Sequence, residues 1–207
     1  MRSTRLRLQL LALATASGLS CSVQVDAPID APQTLAAEPS GAPAADADLD
    51  TVRNHLSRYA KRTGLTDAEI STLSHTLVAE ARRHGLDPRL VLAVMHVESR
   101  YDSFAVSEKN AMGLMQILPT TGEWLAAQVG VPWQGPQTLF DPISNVRLGV
   151  AYLSRLLDRY DGNLSAALAA YNWGPGHIDG RLRDGTPLPV TYADLVLRAY
   201  GRQSTRS

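Results

Sequence analysis

The sequence predicts a mainly α domain. Three observations carry that expectation: apolar residues recur at helical intervals, helix-capping residues punctuate them, and strand patterns are nearly absent. The first helical piece holds Val52, Leu56 and Tyr59 on one face and ends at Gly64. Thr66-Asp67-Ala68-Glu69 then reads as a capping box, in which the threonine hydroxyl and the glutamate carboxylate satisfy each other's free backbone N–H. It opens a helix with Ile70, Leu73, Leu77, Val78 and Ala81 on its apolar face, stopped by Gly85. Asp87-Pro88 starts the next, with proline where a helix tolerates it. Leu90, Val91, Val94 and Val97 fill its inward side, and Glu98 falls near its end. Further helices are expected over Thr121 to Val129, from Asp141-Pro142 to Tyr160, from Asp161-Gly162-Asn163 to Tyr171, and from Tyr192 to Tyr200.

The 207 residues suffice for one medium domain with appendages, and the net charge of zero conceals three regimes. Residues 1–20 carry Arg2, Arg5 and Arg7 without an acid, ahead of a short apolar run beginning at Leu8. That is the pattern of a secretory signal, too short to span a bilayer comfortably. Cys21, the single cysteine, stands where cleavage would expose it, and Gly18-Leu19-Ser20-Cys21 resembles a bacterial lipoprotein processing site. Its leucine lies one place closer to the cysteine than is usual. A plain signal peptide with an incidental Cys21 remains the alternative. Residues 22–47 are rich in Ala, Pro and acids; they cannot bury enough surface to offset ordering entropy and are expected to be a disordered tether. The helical domain is placed at 48–207. Its bases are scattered rather than clustered, which excludes a nucleic-acid footprint. No His-Glu-x-x-His run, Gly-x-Ser-x-Gly elbow or phosphate-binding loop occurs, so no metal and no cofactor is expected.

Glu98 is the candidate acid. At a helix C-terminus, the partial negative charge of the carbonyls disfavours its carboxylate; Leu114 and Met115 folding against it would desolvate it in the same direction. By itself, a solvated glutamate at a frayed helix end is the plainer reading. Carboxyl catalysis commonly works in pairs, one group as acid and the other as base or nucleophile. Asp102 and Glu108 are the nearby candidates, and nothing in their pattern fixes either across a cleft. His96, two residues before Glu98, falls on another helix face and reads as structural.

Three blocks resemble the catalytic domain of the soluble lytic transglycosylase family, whose members cut the glycan strands of bacterial peptidoglycan. They are Glu98-Ser99, Gly113-Leu114-Met115-Gln116 and Ala170-Tyr171-Asn172-Trp173-Gly174. The likeness runs from about Leu73 to Trp173 and more weakly to Tyr200. It implies a lysozyme-like fold and cleavage of the β-1,4 bond between N-acetylmuramic acid and N-acetylglucosamine. Glu98 would act first as acid and then as base toward the muramyl C6 hydroxyl, giving a 1,6-anhydro product. Ser99 would help orient the site, with a bond to its own helix backbone as the alternative. Gly113 would let backbone approach sugar, and Leu114 and Met115 would line the site. Gln116 would offer donor and acceptor to an N-acetyl group or hydroxyls, although Met115 as core filler and Gln116 as a surface amide stay open. Tyr171 would point into the cleft near the acid, or else close its helix as a half-buried aromatic. Asn172 would shape the site, chiefly by bracing the helix end. The family's glycine is Asn110 here, a residue that also tolerates left-handed backbone. Trp173 replaces a small residue, and the family's later tyrosine finds only Asp194 or Leu195 near its place.

The resemblance thus implies an exported, periplasmic enzyme, acting as a monomer on peptidoglycan strands and held at the outer membrane if Cys21 is acylated. Two alternatives remain at this point: a goose-type lysozyme hydrolysing with a second carboxylate such as Asp102, and a non-catalytic peptidoglycan-binding scaffold subunit.

Overall fold

The computed structural model describes residues 42–204. The expected signal segment, Cys21 and the tether up to residue 41 lie outside the described residues. Helix α1 (Ala42–Ser57) starts six residues ahead of the boundary expected at 48. Pro43 sits in its first turn, where a missing N–H costs nothing, and Ala44, Ala45 and Ala47 are strong helix formers. The piece expected to run on to Gly64 is divided. Tyr59, at φ −109° and ψ 15°, separates α1 from the single turn α2 (Ala60–Thr63), which Gly64 closes in the left-handed region.

The capping box forms as expected: Thr66 N–H donates to Glu69 Oε2 at 2.8 Å and Glu69 N–H to Thr66 Oγ1 at 3.3 Å. It opens α3 (Asp67–Arg83), whose face of Ile70, Leu73, Leu77 and Ala81 is buried against α1 and against α6 (Pro142–Arg159). Asp87 caps α4 (Pro88–Glu98) by accepting from Arg89 N–H at 2.8 Å. Every residue from Leu90 to Met95 is buried. The apolar stripe assigned from sequence was too narrow, because α4 is enclosed by α1, α3 and α9 (Thr191–Ser204) and so has apolar demand all round. It is the central helix, and Glu98 is where it leaves the core.

Helix α5 (Pro119–Val129) follows, then a 3-10 turn (Pro136–Phe140), α6, α7 (Leu164–Trp173) and α8 (Pro175–Arg183). Sequence reading missed the 3-10 turn and α8. Helix α8 carries two internal glycines and buries only Ile178, so it shows no apolar stripe to find. Among the described residues no strand forms; isolated bridges Val106–Met112 and Met112–Ile117 tie residues 105–117 into a short tongue between α4 and α5. Asn145, fully buried on α6, pins that tongue. Its Nδ2 donates to the carbonyls of Met112 (2.9 Å) and Leu139 (2.8 Å), and its Oδ1 accepts from Met115 N–H at 2.8 Å.

Candidate active site

The chain leaves α4 through an unusual turn. Ser99 caps the helix, and Arg100 and Tyr101 both take left-handed backbone, with φ of 54° and 68°. Such a conformation costs free energy for a residue with a Cβ and persists only where its surroundings over-determine it. Here Tyr101 is fully buried, and its hydroxyl donates to Leu92 O at 3.1 Å and meets His55 Nε2 at 2.6 Å. Ser103, also buried, donates to Thr63 O at 2.7 Å and fastens the turn to α2. The chain is thus locked on the C-terminal side of Glu98.

Ser99 Oγ donates to Leu114 O at 2.8 Å, which joins the end of α4 to the tongue. Its helix-backbone alternative exists as well, but at a longer 3.3 Å to Met95 O. Tyr171, from α7, donates to Met115 O at 2.9 Å. Leu114 and Met115 are fully buried and form core rather than lining; what they present to the site's framework is these two carbonyls. Gly113 is required by packing, whatever approaches it from the cleft. Its φ is +77°, and a Cβ there would collide with the Leu139 carbonyl and the Asn145 amide. Gln116 is also left-handed at φ 49°, and its Nε2 donates to Ala105 O and Gly113 O, both at 3.0 Å. Both amide hydrogens are spent, so it offers a ligand an acceptor only, against the donor-and-acceptor pair expected. Asn110 takes φ +60°, as expected of asparagine standing in for glycine.

A cleft of about 400 Å³ opens over this framework, with Glu98, Gln116, Tyr171, Asn172 and the rim residues Glu108 and Lys109 among its walls. Asn172 is exposed and faces the cleft. Asp102, exposed, accepts from Phe104 N–H within its own turn and is not among the cleft's walls. The second carboxyl that does reach the cleft is Glu108. Trp173, 52% exposed, does not cover the core; it stacks on His177 at 5.4 Å, with Lys109 Nζ 5.9 Å from its ring centre.

The acid's partner is a residue that sequence reading passed over. Tyr192, at the start of α9, donates its hydroxyl to Glu98 Oε1 at 2.5 Å, in the length range of charge-assisted O–H···O bonds. Its ring lies parallel to that of Tyr171, with centroids 6.5 Å apart. The place searched from sequence, Asp194 or Leu195, is two to three residues too late. Desolvation by burial lifts the Glu98 pKa from 4.5 to about 7, against the lowering effect of the Tyr192 hydrogen bond. Burial and the Glu98 charge together push the Tyr171 and Tyr192 phenols well above 10, so both stay protonated as donors. A carboxyl titrating near neutrality can both give and take a proton. Among the described residues there is no cluster of three or more His, Cys, Asp or Glu that would hold a metal ion.

A family model described as the transglycosylase SLT domain matches residues 76–185, just over half of the chain. The chain belongs to the transglycosylase SLT family. Relatives include the membrane-bound lytic murein transglycosylase C of Mannheimia succiniciproducens, 38% identical over 113 residues (50% of this chain, 32% of that protein). The protein of the same name from Haemophilus influenzae is 40% identical over 108 residues (47% and 30%). The SLT domain therefore spans under a third of the length of these relatives. An inactive Glu-to-Gln mutant of the lytic transglycosylase Slt from Pseudomonas aeruginosa superposes with a TM-score of 0.58 at 33% identity, over 64% of this chain and 24% of that one. A 70-kDa soluble lytic transglycosylase in complex with bulgecin A shares the fold at 20% identity, with a TM-score of 0.53 over 77% and 28% of the two chains. The expected mainly α, lysozyme-like fold is the fold of this SLT domain.

Proposed function

We propose that this SLT domain cleaves the β-1,4 bond between N-acetylmuramic acid and N-acetylglucosamine in peptidoglycan by lytic transglycosylation, with Glu98 as the single acid and base. One observation carries the reading: a half-buried carboxyl, its pKa lifted by desolvation to about 7, held by Tyr192 at the wall of an open cleft. Protonated Glu98 gives its proton to the glycosidic oxygen as the bond to muramyl C1 breaks. The muramyl C6 oxygen then bonds to C1, and its proton passes to the Glu98 carboxylate, which restores the acid. No water is consumed, and no second carboxylate is required. Tyr192 steadies the charged form between the two transfers. Ser99 and Tyr171 hold the Leu114–Met115 backbone beside the acid, while the Gln116 and Asn172 amides meet sugar substituents. The inactive Glu-to-Gln form of the Pseudomonas aeruginosa Slt supports a single decisive glutamate.

Glu108 on the cleft rim favours a second reading, hydrolysis with water activated by that carboxylate, in place of the Asp102 route. Mass analysis of digested peptidoglycan separates the two, since an anhydromuramyl product is one water lighter than a reducing one. Glu98→Gln should abolish release of either product; retained activity in that variant refutes the assignment, and binding without turnover in the native chain would leave the scaffold role. We further propose that Cys21 is acylated and holds the domain at the outer membrane on the periplasmic side, in keeping with the membrane-bound names of its relatives. A Cys21→Ala chain that stays in the membrane fraction would refute that anchor.

A further inference from the structure

The cleft of about 400 Å³ is small, whereas a glycan strand is a polymer, so under the reading proposed above the strand must leave the cleft across its rim. Three large aromatic side chains stand more than half exposed among the described residues: Phe104, Trp124 and Trp173. Phe104 lies against Phe140, and Trp124 carries the Arg155 guanidinium 5.0 Å from its ring centre. Trp173 adjoins two walls of the cleft. It follows Asn172 in the chain, and Lys109 Nζ lies 5.9 Å from its ring centre. The proposed reaction makes no use of this ring.

The indole is held in place from behind. Helix α7 stops at Trp173; Gly174 N–H returns to Ala170 O at 2.8 Å, and Pro175 begins α8 at once. The Tyr160 hydroxyl, just past the end of α6, reaches both Pro175 O (3.2 Å) and Asp179 Oδ1 (2.9 Å). Asp179 is also paired with Arg159, so the start of α8 is fastened to α6. From that fastened turn His177 stacks on the indole, with centroids 5.4 Å apart and planes 26° from parallel. An exposed ring backed in this way has little freedom left to lose when a ligand covers it. Lys109 comes from the opposite element, the tongue, and is the basic residue among the described walls of the cleft. At 5.9 Å its contact with the ring is at the outer limit of a cation–π interaction, so a ligand can take its place.

A β-1,4-linked pyranose carries its large substituents around the edge of the ring and turns C–H bonds to its two faces. Such a face is apolar and slightly positive, which complements the negative face of an indole. We propose that Trp173 is a saccharide-binding subsite, stacking on a pyranose of the glycan strand where the strand leaves the cleft past Lys109, outside the pair of sugars at which Glu98 acts. The subsite rests on the cleft being the site of glycan cleavage. It contributes affinity and not rate in the chemical step, because the ring touches no reacting group. Lys109 turns its ammonium, with three donors, to the oxygens of the same sugar.

The test reads binding apart from turnover. The full chain carrying Glu98→Gln is titrated by calorimetry with the hexamer of β-1,4-linked N-acetylglucosamine, alone and with Trp173→Ala, Trp173→Phe or Lys109→Met added. Trp173→Ala should weaken binding by about tenfold, the scale set by withdrawing one aromatic face from water. Trp173→Phe keeps a stacking face and should lose only about threefold or less. Lys109→Met should lose less than Trp173→Ala; a larger loss would make the contact electrostatic and overturn the stacking. Undiminished binding by Trp173→Ala overturns the proposal, as does a hexamer that fails to bind, or a Trp173→Phe chain no better than Trp173→Ala. Since the indole is exposed, the thermal melts of these chains should coincide. With Glu98 intact, Trp173→Ala should raise KM for peptidoglycan strands while kcat is kept. A native chain that leaves peptidoglycan uncut, but whose hexamer binding still depends on Trp173, would sink the catalytic reading and leave the subsite standing. A chain that cuts, with a KM unmoved by Trp173→Ala, would sink the subsite alone.

Discussion

Glu98→Gln should make the folded domain more stable at alkaline pH, independently of any effect on catalysis. In the unfolded chain Glu98 ionises near 4.5, and in the folded domain near 7, because burial penalises its charge. Between those values the folded state binds more protons than the unfolded state, so raising the pH favours unfolding. The burden is absent below about pH 4 and complete above about pH 7.5. At about 1.4 kcal/mol for each pH unit, a rise from 4.5 to about 7 gives about 3.5 kcal/mol. Glutamine cannot ionise, matches the volume and keeps an amide oxygen as acceptor for the Tyr192 hydroxyl. Relative to its difference from the native chain at about pH 4, the variant should therefore gain about 3.5 kcal/mol at about pH 8. For a domain of this size that is roughly 7–14 °C in Tm. Thermal unfolding followed by circular dichroism across that range measures it. A difference between the two proteins that stays flat with pH would mean that Glu98 ionises as an ordinary exposed carboxylate, and the acid–base role would lose its physical basis.

Tyr192→Phe removes the donor that favours the Glu98 carboxylate, so the acid's pKa should rise by about 1–2 pH units, the value of one hydrogen bond to a charged group. The alkaline limb of the pH–rate profile for glycan cleavage should move upward accordingly, with a lower maximal rate; an unmoved limb would make Tyr192 a packing residue. Asn145→Ala strands two buried carbonyls and one N–H, and should destabilise by about 3–6 kcal/mol in denaturant melts; a loss under about 1 kcal/mol would show that the tongue does not depend on α6. Gly113→Ala combines a left-handed strain with a collision against backbone and should cost more than about 2 kcal/mol, whereas Gly85→Ala, equally left-handed but facing open space, should cost only the strain. Equal losses at the two glycines would refute the packing account.

What the sequence revealed and what it hid differ by range. Thr66 and Glu69 could be paired because a capping box is closed within three residues, and Asp87-Pro88 marked the start of the acid's helix by the same local chemistry. Glu98 was legible as the residue ending an apolar run. Tyr192 was not, since its bond to Glu98 spans 94 residues and its own neighbourhood reads as an ordinary helix start. Asn145 hid among the helical residues of α6, where a lone amide looks like a surface position; its three tertiary bonds exist only once the tongue has folded onto it. Gly113, Leu114 and Met115 were found as a block, but the lining role expected of Leu114 and Met115 gives way to the core, where both are fully buried. A motif shows that positions belong together, and it does not distinguish side chains that meet a ligand from those that hold the backbone in place.

The span matched by the SLT family model closes at residue 185, and the helix bearing Tyr192 begins at Thr191. A fragment trimmed to the recognised borders would strip α4 of a principal packing neighbour and leave Glu98 without the phenol that holds its pKa down against burial. Such a piece would carry every signature block of the family without the helix that hydrogen-bonds their carboxyl, so the structural unit around Glu98 is longer than its homology footprint.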